Sequence, residues 1–129
     1  MLKWVIFSAV VLMAASTAAG AGGDPVAGEK VFLKCRSCHQ LGETAKNGIG
    51  PELNGIVGRP AGAAAGYKYS DAIKTSGLIW DETNLHAFLT DPKAKIPGTK
   101  MPFAGIKDPA ALDDLLSYLK QYGIDGKKL

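Results

Sequence analysis

The sequence predicts an all-α fold of three to four helices joined by long ordered loops around a rigid centre. Three observations point there. Helix start and stop signals bracket segments near both ends of the chain and one in between. No alternating β-branched run of useful length is present. The stretch from Gly42 to Gly66 is so rich in Gly, Pro and small residues that a domain of this size needs something more to fill its middle.

The first segment stands apart from the fold. Met1-Leu2-Lys3 precedes an apolar run from Trp4 to Ala15, followed by small residues through Ala21. That is the pattern of a signal peptide, with Ala19-Gly20-Ala21 as an A-x-A cleavage site. The apolar run is short of the roughly 18 to 20 residues that span a bilayer. The competing reading is a retained membrane tether. Residues 1–21 are therefore read as the leader and 22–129 as one domain, with a periplasmic destination. Of the 15 Lys and Arg residues, Lys3 leaves with the leader, so 14 face 12 Asp and Glu, a weakly basic balance that gives no nucleic-acid or membrane signal.

Each element of the mature domain has its own punctuation. Asp24 as N-cap and Pro25 at the first helical position open a helix with Gly28, Val31, Phe32 and Cys35 at i, i+3, i+4 and i+7. Ala61-Gly62-Ala63-Ala64-Ala65-Gly66 reads as a flexible surface loop. A short, weakly signalled helix covers 71–75. Asp81 caps a helix carrying Leu85, Phe88 and Leu89, with Trp80 placed to staple onto Leu85 and Asp91-Pro92 ending it. Asp108-Pro109 opens the last helix, with Leu112, Leu115, Leu116 and Leu119 on one face and Gly123 as the stop.

The centre is named by Cys35-Arg36-Ser37-Cys38-His39, which holds both cysteines of the chain beside one of its two histidines. This is a haem-attachment motif. Two thiols three positions apart on a turn reach two vinyl groups on one porphyrin edge, and the next residue carries an imidazole under the iron. Three other readings use the same residues. A Cys35–Cys38 disulfide suits an exported protein but leaves His39 unexplained. A thioredoxin-like pair needs a βαβ context that is missing. A zinc site would recruit His86, yet the adjacent Cys38 and His39 do not follow finger spacing.

The second axial position also has a candidate. Met1 and Met13 lie in the leader, so Met101 is the only methionine of the mature chain. It sits in Pro97-Gly98-Thr99-Lys100-Met101-Pro102, where two prolines exclude a regular helix and stiffen a loop able to aim the sulfur inward. A lone Met more often fills a core gap, and His86 is the rival ligand. The helix of His86, however, turns Leu85, Phe88 and Leu89 to the buried side.

With these motifs in view the chain resembles a class I cytochrome c, most like the small soluble bacterial c2 type and mitochondrial cytochrome c. The resemblance runs from Gly23 to Gln121. It rests on Cys35 to His39, on Gly50-Pro51-Glu52-Leu53-Asn54-Gly55-Ile56-Val57-Gly58-Arg59, on Gly66-Tyr67-Lys68-Tyr69-Ser70-Asp71-Ala72, and on Pro97 to Pro102. It implies first and last helices that cross, with Gly28 and Phe32 facing Leu115 and Tyr118. It implies one haem c bound through Cys35 and Cys38, with His39 and Met101 as the axial metal ligands. The Pro51 carbonyl is then the acceptor for the ring N–H of His39, a bond that would fix the tautomer. Arg59, Tyr69, Trp80 and Thr99 match positions around the haem propionates, although Trp80 and Tyr69 would also serve as plain core aromatics. Two positions depart from mitochondrial relatives. Phe88 stands where they carry a tyrosine and Ile73 where they carry an asparagine, which leaves a drier pocket.

The same resemblance implies a one-electron carrier and no enzyme, since a six-coordinate iron has no open site. A methionine sulfur in an apolar pocket favours the reduced iron and raises the potential. Lys34, Lys93, Lys100 and Lys107 match positions ringing the haem edge, and Lys46, Lys74 and Lys95 would widen that face, unless they are simply solvated. The implied partners, met briefly by a monomer, are a cytochrome bc complex and a terminal oxidase or photosynthetic reaction centre. A peroxidase or a ligand-switching sensor would need Met101 to dissociate, and no distal acid-base residue is visible beside it.

Overall fold

The computed structural model describes residues 22–129. The leader assigned to residues 1–21, with its cleavage site, lies outside the described residues.

Among the described residues five helical segments follow one another: α1 Pro25–Phe32, α2 Asp71–Lys74, α3 Glu82–Thr90, α4 Pro92–Lys95 and α5 Pro109–Leu119. Three of them begin at the expected acidic caps. The carboxylates of Asp24, Asp81 and Asp108 accept hydrogen bonds from the N–H groups of Val26, Asn84 and Ala110 at 2.9, 2.7 and 3.0 Å. Each thereby satisfies a donor that has no partner within its helix. Ser70 does the same for α2, its hydroxyl accepting from Ile73 N–H at 3.2 Å.

Several boundaries differ from expectation for visible reasons. α1 stops at Phe32, and the chain passes into tight turns in which Cys35 N–H bonds to the Phe32 carbonyl at 2.8 Å. The Cys35 carbonyl then accepts from both Cys38 and His39, so the attachment motif closes on itself instead of prolonging the helix. α5 ends at Leu119, not near Gly123. Gln121 and Tyr122 bond three residues back, and Gly123 begins a tail that folds onto itself through a 3.0 Å bond to the Lys127 carbonyl. Asp91-Pro92 ends α3, as read, and also opens α4, which was not foreseen. The Asp91 side chain accepts from Ala94 N–H at 3.3 Å. The alanine-rich loop is held, not free: Ala64 is buried and its N–H donates to the Tyr69 hydroxyl at 2.9 Å, while Asn47 donates to the Ala65 carbonyl at 2.8 Å.

α1 crosses α5 at Gly28. A β-carbon there would land on the Asp114 carbonyl and within 2.8 Å of Tyr118 Cβ, so only glycine permits this approach. Phe32 and Tyr118 continue the contact, with ring centroids 5.4 Å apart. Leu112 and Leu115 are 1% exposed behind it. Trp80 packs on Phe88 at 4.9 Å between ring centroids, joining the approach to α3 with its buried face. This is the all-α architecture the sequence predicted, three helices of eight or more residues and two single turns among long loops.

Candidate functional site, a haem cavity

The helices and loops enclose a cavity of about 460 Å³, inside the range of sites that take a sizeable organic group. Its wall gathers Cys35, Cys38, His39 and Pro51 from the segment after α1, and Thr99, Met101 and Phe103 from the loop after α4. Arg59, Tyr69, Trp80, Ile73 and Phe88 line it as well. Every residue singled out for cofactor contact in the sequence therefore shares one cavity.

His39 is held by its own loop. Its Nδ1 lies 2.7 Å from the Pro51 carbonyl oxygen. A carbonyl only accepts, so Nδ1 carries the proton and Nε2 keeps a free lone pair. Gly50 makes the ring's position possible, because a β-carbon there would fall within 2.8 Å of Nε2 and closer still to other ring atoms. Burial pushes the His39 imidazole below its ordinary pKa, the Pro51 bond opposes this, and the Arg59 charge adds to it. The ring is thus kept neutral, the form that binds a metal. Burial likewise pushes the Cys35 thiol up to about 11, with Cys38 adding to it and Lys34 opposing. The site disfavours a thiolate and suits an uncharged sulfur, which a thioether is.

Arg59 arrives through backbone pairing. Trp80 N–H bonds to the Arg59 carbonyl at 2.8 Å and Gly58 N–H to the Trp80 carbonyl at 2.7 Å, beside a bridge between Pro60 and Ile79. The Arg59 Nη1 donates to Glu52 Oε1 and to the Asn54 carbonyl, each at 3.0 Å, and Nη2 donates to the Glu52 carbonyl at 2.9 Å. Its Nε–H, in contrast, is buried without a partner. An orphaned cationic donor in a cavity wall calls for an acidic acceptor there, and a porphyrin carboxylate is such a group. The Tyr69 hydroxyl accepts from Ala64 and retains its own proton to donate. The residues present therefore fit haem c: two sulfurs and an imidazole at one end, a methionine on the wall, and donors for carboxylates.

His86 stands elsewhere. Its Nε2 is 3.7 Å from Asp113 Oδ1 on α5, and it does not join the cavity wall. Among the described residues no group of three or more His, Cys, Asp or Glu side chains is placed to hold a bare metal ion. Of the four lysines expected at the haem edge, Lys34 and Lys100 are exposed and line the cavity, so they mark its rim. Lys93 is exposed on α4, and Lys107 donates to the Thr90 carbonyl at the end of α3 at 2.6 Å. Neither of these two lines the cavity. Glu52, Gly50 and Tyr67 also shape the site, and in the sequence they stand as motif members with no role of their own. The Glu52 role could have been suspected from a carboxylate seven residues before a buried arginine, whereas the other two emerge only from distant segments meeting.

Comparison with known proteins agrees with this geometry. The Cytochrome c family model matches residues 25–123. The chain is 54% identical over 106 residues to cytochrome c2 of Rhodoblastus acidophilus, covering 82% of this chain and 99% of that one. It is 49% identical over 127 residues to cytochrome c2 of Blastochloris viridis, covering 98% and 99%. Among solved structures, cytochrome cH from Methylobacterium extorquens superposes with a TM-score of 0.73 at 54% identity, covering 77% of this chain and 99% of that one. The chain belongs to the cytochrome c family, as a bacterial class I member of the c2 type: an electron-transfer protein with covalent haem c, and not an enzyme.

Proposed function

We propose that the chain holds its haem iron between His39 and Met101 and shuttles single electrons in the periplasm, from a cytochrome bc complex to a terminal oxidase or photosynthetic reaction centre. The observation that carries this reading is the sharing of one cavity by His39, its ring fixed by Pro51, by Met101 on its proline-flanked loop, and by the two cysteines. Haem c supplies a reversible one-electron iron couple. Around it the protein's part is to hold and to shield. His39 presents Nε2 because Nδ1–H is engaged. Phe88 and Ile73, both buried on the wall, exclude water. A dry wall and a thioether sulfur favour the less charged, reduced iron. Arg59 and Tyr69 offer N–H and O–H donors to the propionates, with Trp80 and Thr99 beside them.

Export is supported by the leader pattern and by the Blastochloris viridis alignment, whose 127 residues take in most of residues 1–21. Docking is assigned to Lys34 and Lys100 at the cavity rim, with Lys93 on α4 and Lys107 against the end of α3 as exposed lysines outside the cavity wall. With so small a net charge, an uneven distribution steers encounter more than it tightens the complex.

Stopped-flow electron transfer with an acidic redox partner tests this. The second-order rate should fall as ionic strength approaches 0.1 M, where the Debye length is about 10 Å, while the unimolecular step changes little. Lys34→Glu or Lys93→Glu should slow association more than Lys127→Glu or Lys128→Glu in the C-terminal tail. Equal slowing by both pairs would mean that net charge alone matters, and the oriented docking face would be lost.

A further inference from the structure

Tyr67 touches both sides of the haem cavity. Its hydroxyl donates to the Ile49 carbonyl at 2.7 Å. Ile49 is two residues before Pro51, the residue that fixes His39. The other side of Tyr67 meets the opposite loop: the Lys100 ammonium lies 4.7 Å from the centre of its ring. Lys100 immediately precedes Met101, and the same ammonium also donates to the carbonyl of Lys68, the neighbour of Tyr67. One aromatic side chain, half-buried and lining the cavity, is thus bonded at its tip to the His39 side and covered on its face by the Met101 side.

The segment that carries Tyr67 is itself secured. The Tyr67 and Tyr69 rings meet edge to face at 4.8 Å, and Tyr69 is anchored by Ala64 N–H at 2.9 Å. Asn47 adds a parallel tie, donating to the Ala65 carbonyl at 2.8 Å while its side-chain oxygen accepts from Glu52 N–H at 3.0 Å. Residues 47–52, 64–70 and 99–101 therefore form one connected layer, and Tyr67 is where the two ligand-bearing loops meet.

We infer that Tyr67 is a positioning residue that latches the loop carrying Met101 to the loop carrying Pro51, so that the sixth ligand leaves the iron only when this latch is broken. The inference rests on the proposed His39 and Met101 ligation. The latch joins a neutral hydrogen bond to a cation resting on an aromatic face, and both act locally, without entering the packing of α1 on α5. Loosening it should release Met101 more often while leaving the fold in place. Lys100 then has a structural duty beside any part in docking.

The test is the rate at which cyanide binds the oxidised holoprotein, read by absorbance, in four proteins: unaltered, Tyr67→Phe, Tyr67→Leu, and Leu112→Val. Leu112 belongs to the core between α1 and α5 and does not line the cavity. Tyr67→Leu removes hydroxyl and ring face together and should speed cyanide binding about tenfold, with Tyr67→Phe between it and the unaltered protein. Leu112→Val should lower the urea midpoint and leave the cyanide rate near that of the unaltered protein. An unchanged rate in Tyr67→Leu, or rates that follow global stability across all four proteins, would overturn the latch. Absence of the weak red methionine-to-ferric band from the unaltered protein would instead overturn the axial ligation, and the latch with it.

Discussion

Arg59 shows how single residues hold this site. Its side chain is 10% exposed, and its partner Glu52 is 25% exposed. Three of its five donors are engaged by Glu52 and Asn54, which fixes the plane of the guanidinium, and its Nε–H is buried without a partner. Arg59→Met would keep much of the bulk while stranding the Glu52 carboxylate. A stability loss of about 2 to 3 kcal/mol is expected from urea unfolding of the holoprotein, below the full cost of breaking a deeply buried pair because Glu52 keeps some water. A loss under about 0.5 kcal/mol would show that the arginine is held by packing alone. At this scale the sequence was most legible where chemistry dictates spacing. Cys35, Cys38 and His39 could be read because a porphyrin edge has fixed dimensions. Tyr67 could not, because its partners Ile49 and Lys100 come from segments that only the folded loops bring together.

The elements repeat the lesson at greater length. Asp24, Asp81 and Asp108 announced three helix starts, since an unpaired N–H at a helix end needs a nearby acceptor whatever the fold. The stops were less legible. Cys35 falls on the expected helical stripe, yet the turn of the attachment motif wins over the periodicity, and Asp91 serves one helix as its end and the next as its cap. Order in the alanine-rich loop comes from Tyr69 and Asn47 bonding to its backbone, which no local pattern records. The crossing of α1 and α5 is the element contact with the least tolerance. Gly28→Ala should cost about 1 to 3 kcal/mol by overpacking against the Asp114 carbonyl. Val26→Ala, at a position 67% exposed on the same helix, should change urea stability by less than about 0.5 kcal/mol.

At the scale of the whole molecule one buried cluster, with Phe32, Leu85, Phe88, Leu112 and Leu115 among its members, supports a cavity whose wall the loops complete. The need for something to fill the centre was legible in a short chain whose stretch from Gly42 to Gly66 is rich in small residues. The cavity joins a fixed imidazole, a sulfur on a stiff loop and an apolar wall, and under the proposed ligation by His39 and Met101 these would leave the iron open to electrons and closed to ligands. That claim stands on Met101 more than on any other residue. Its most direct test is the reduction potential of the purified protein, measured together with the red absorption band of the oxidised form, before and after Met101→Ala. The account predicts a high potential and a visible band at neutral pH in the unaltered protein. In the variant the band should vanish, the potential should fall by on the order of 0.1 V or more, and cyanide should bind readily. A potential and band that survive the substitution would mean that another group closes the iron, and the reading of this cavity would be wrong.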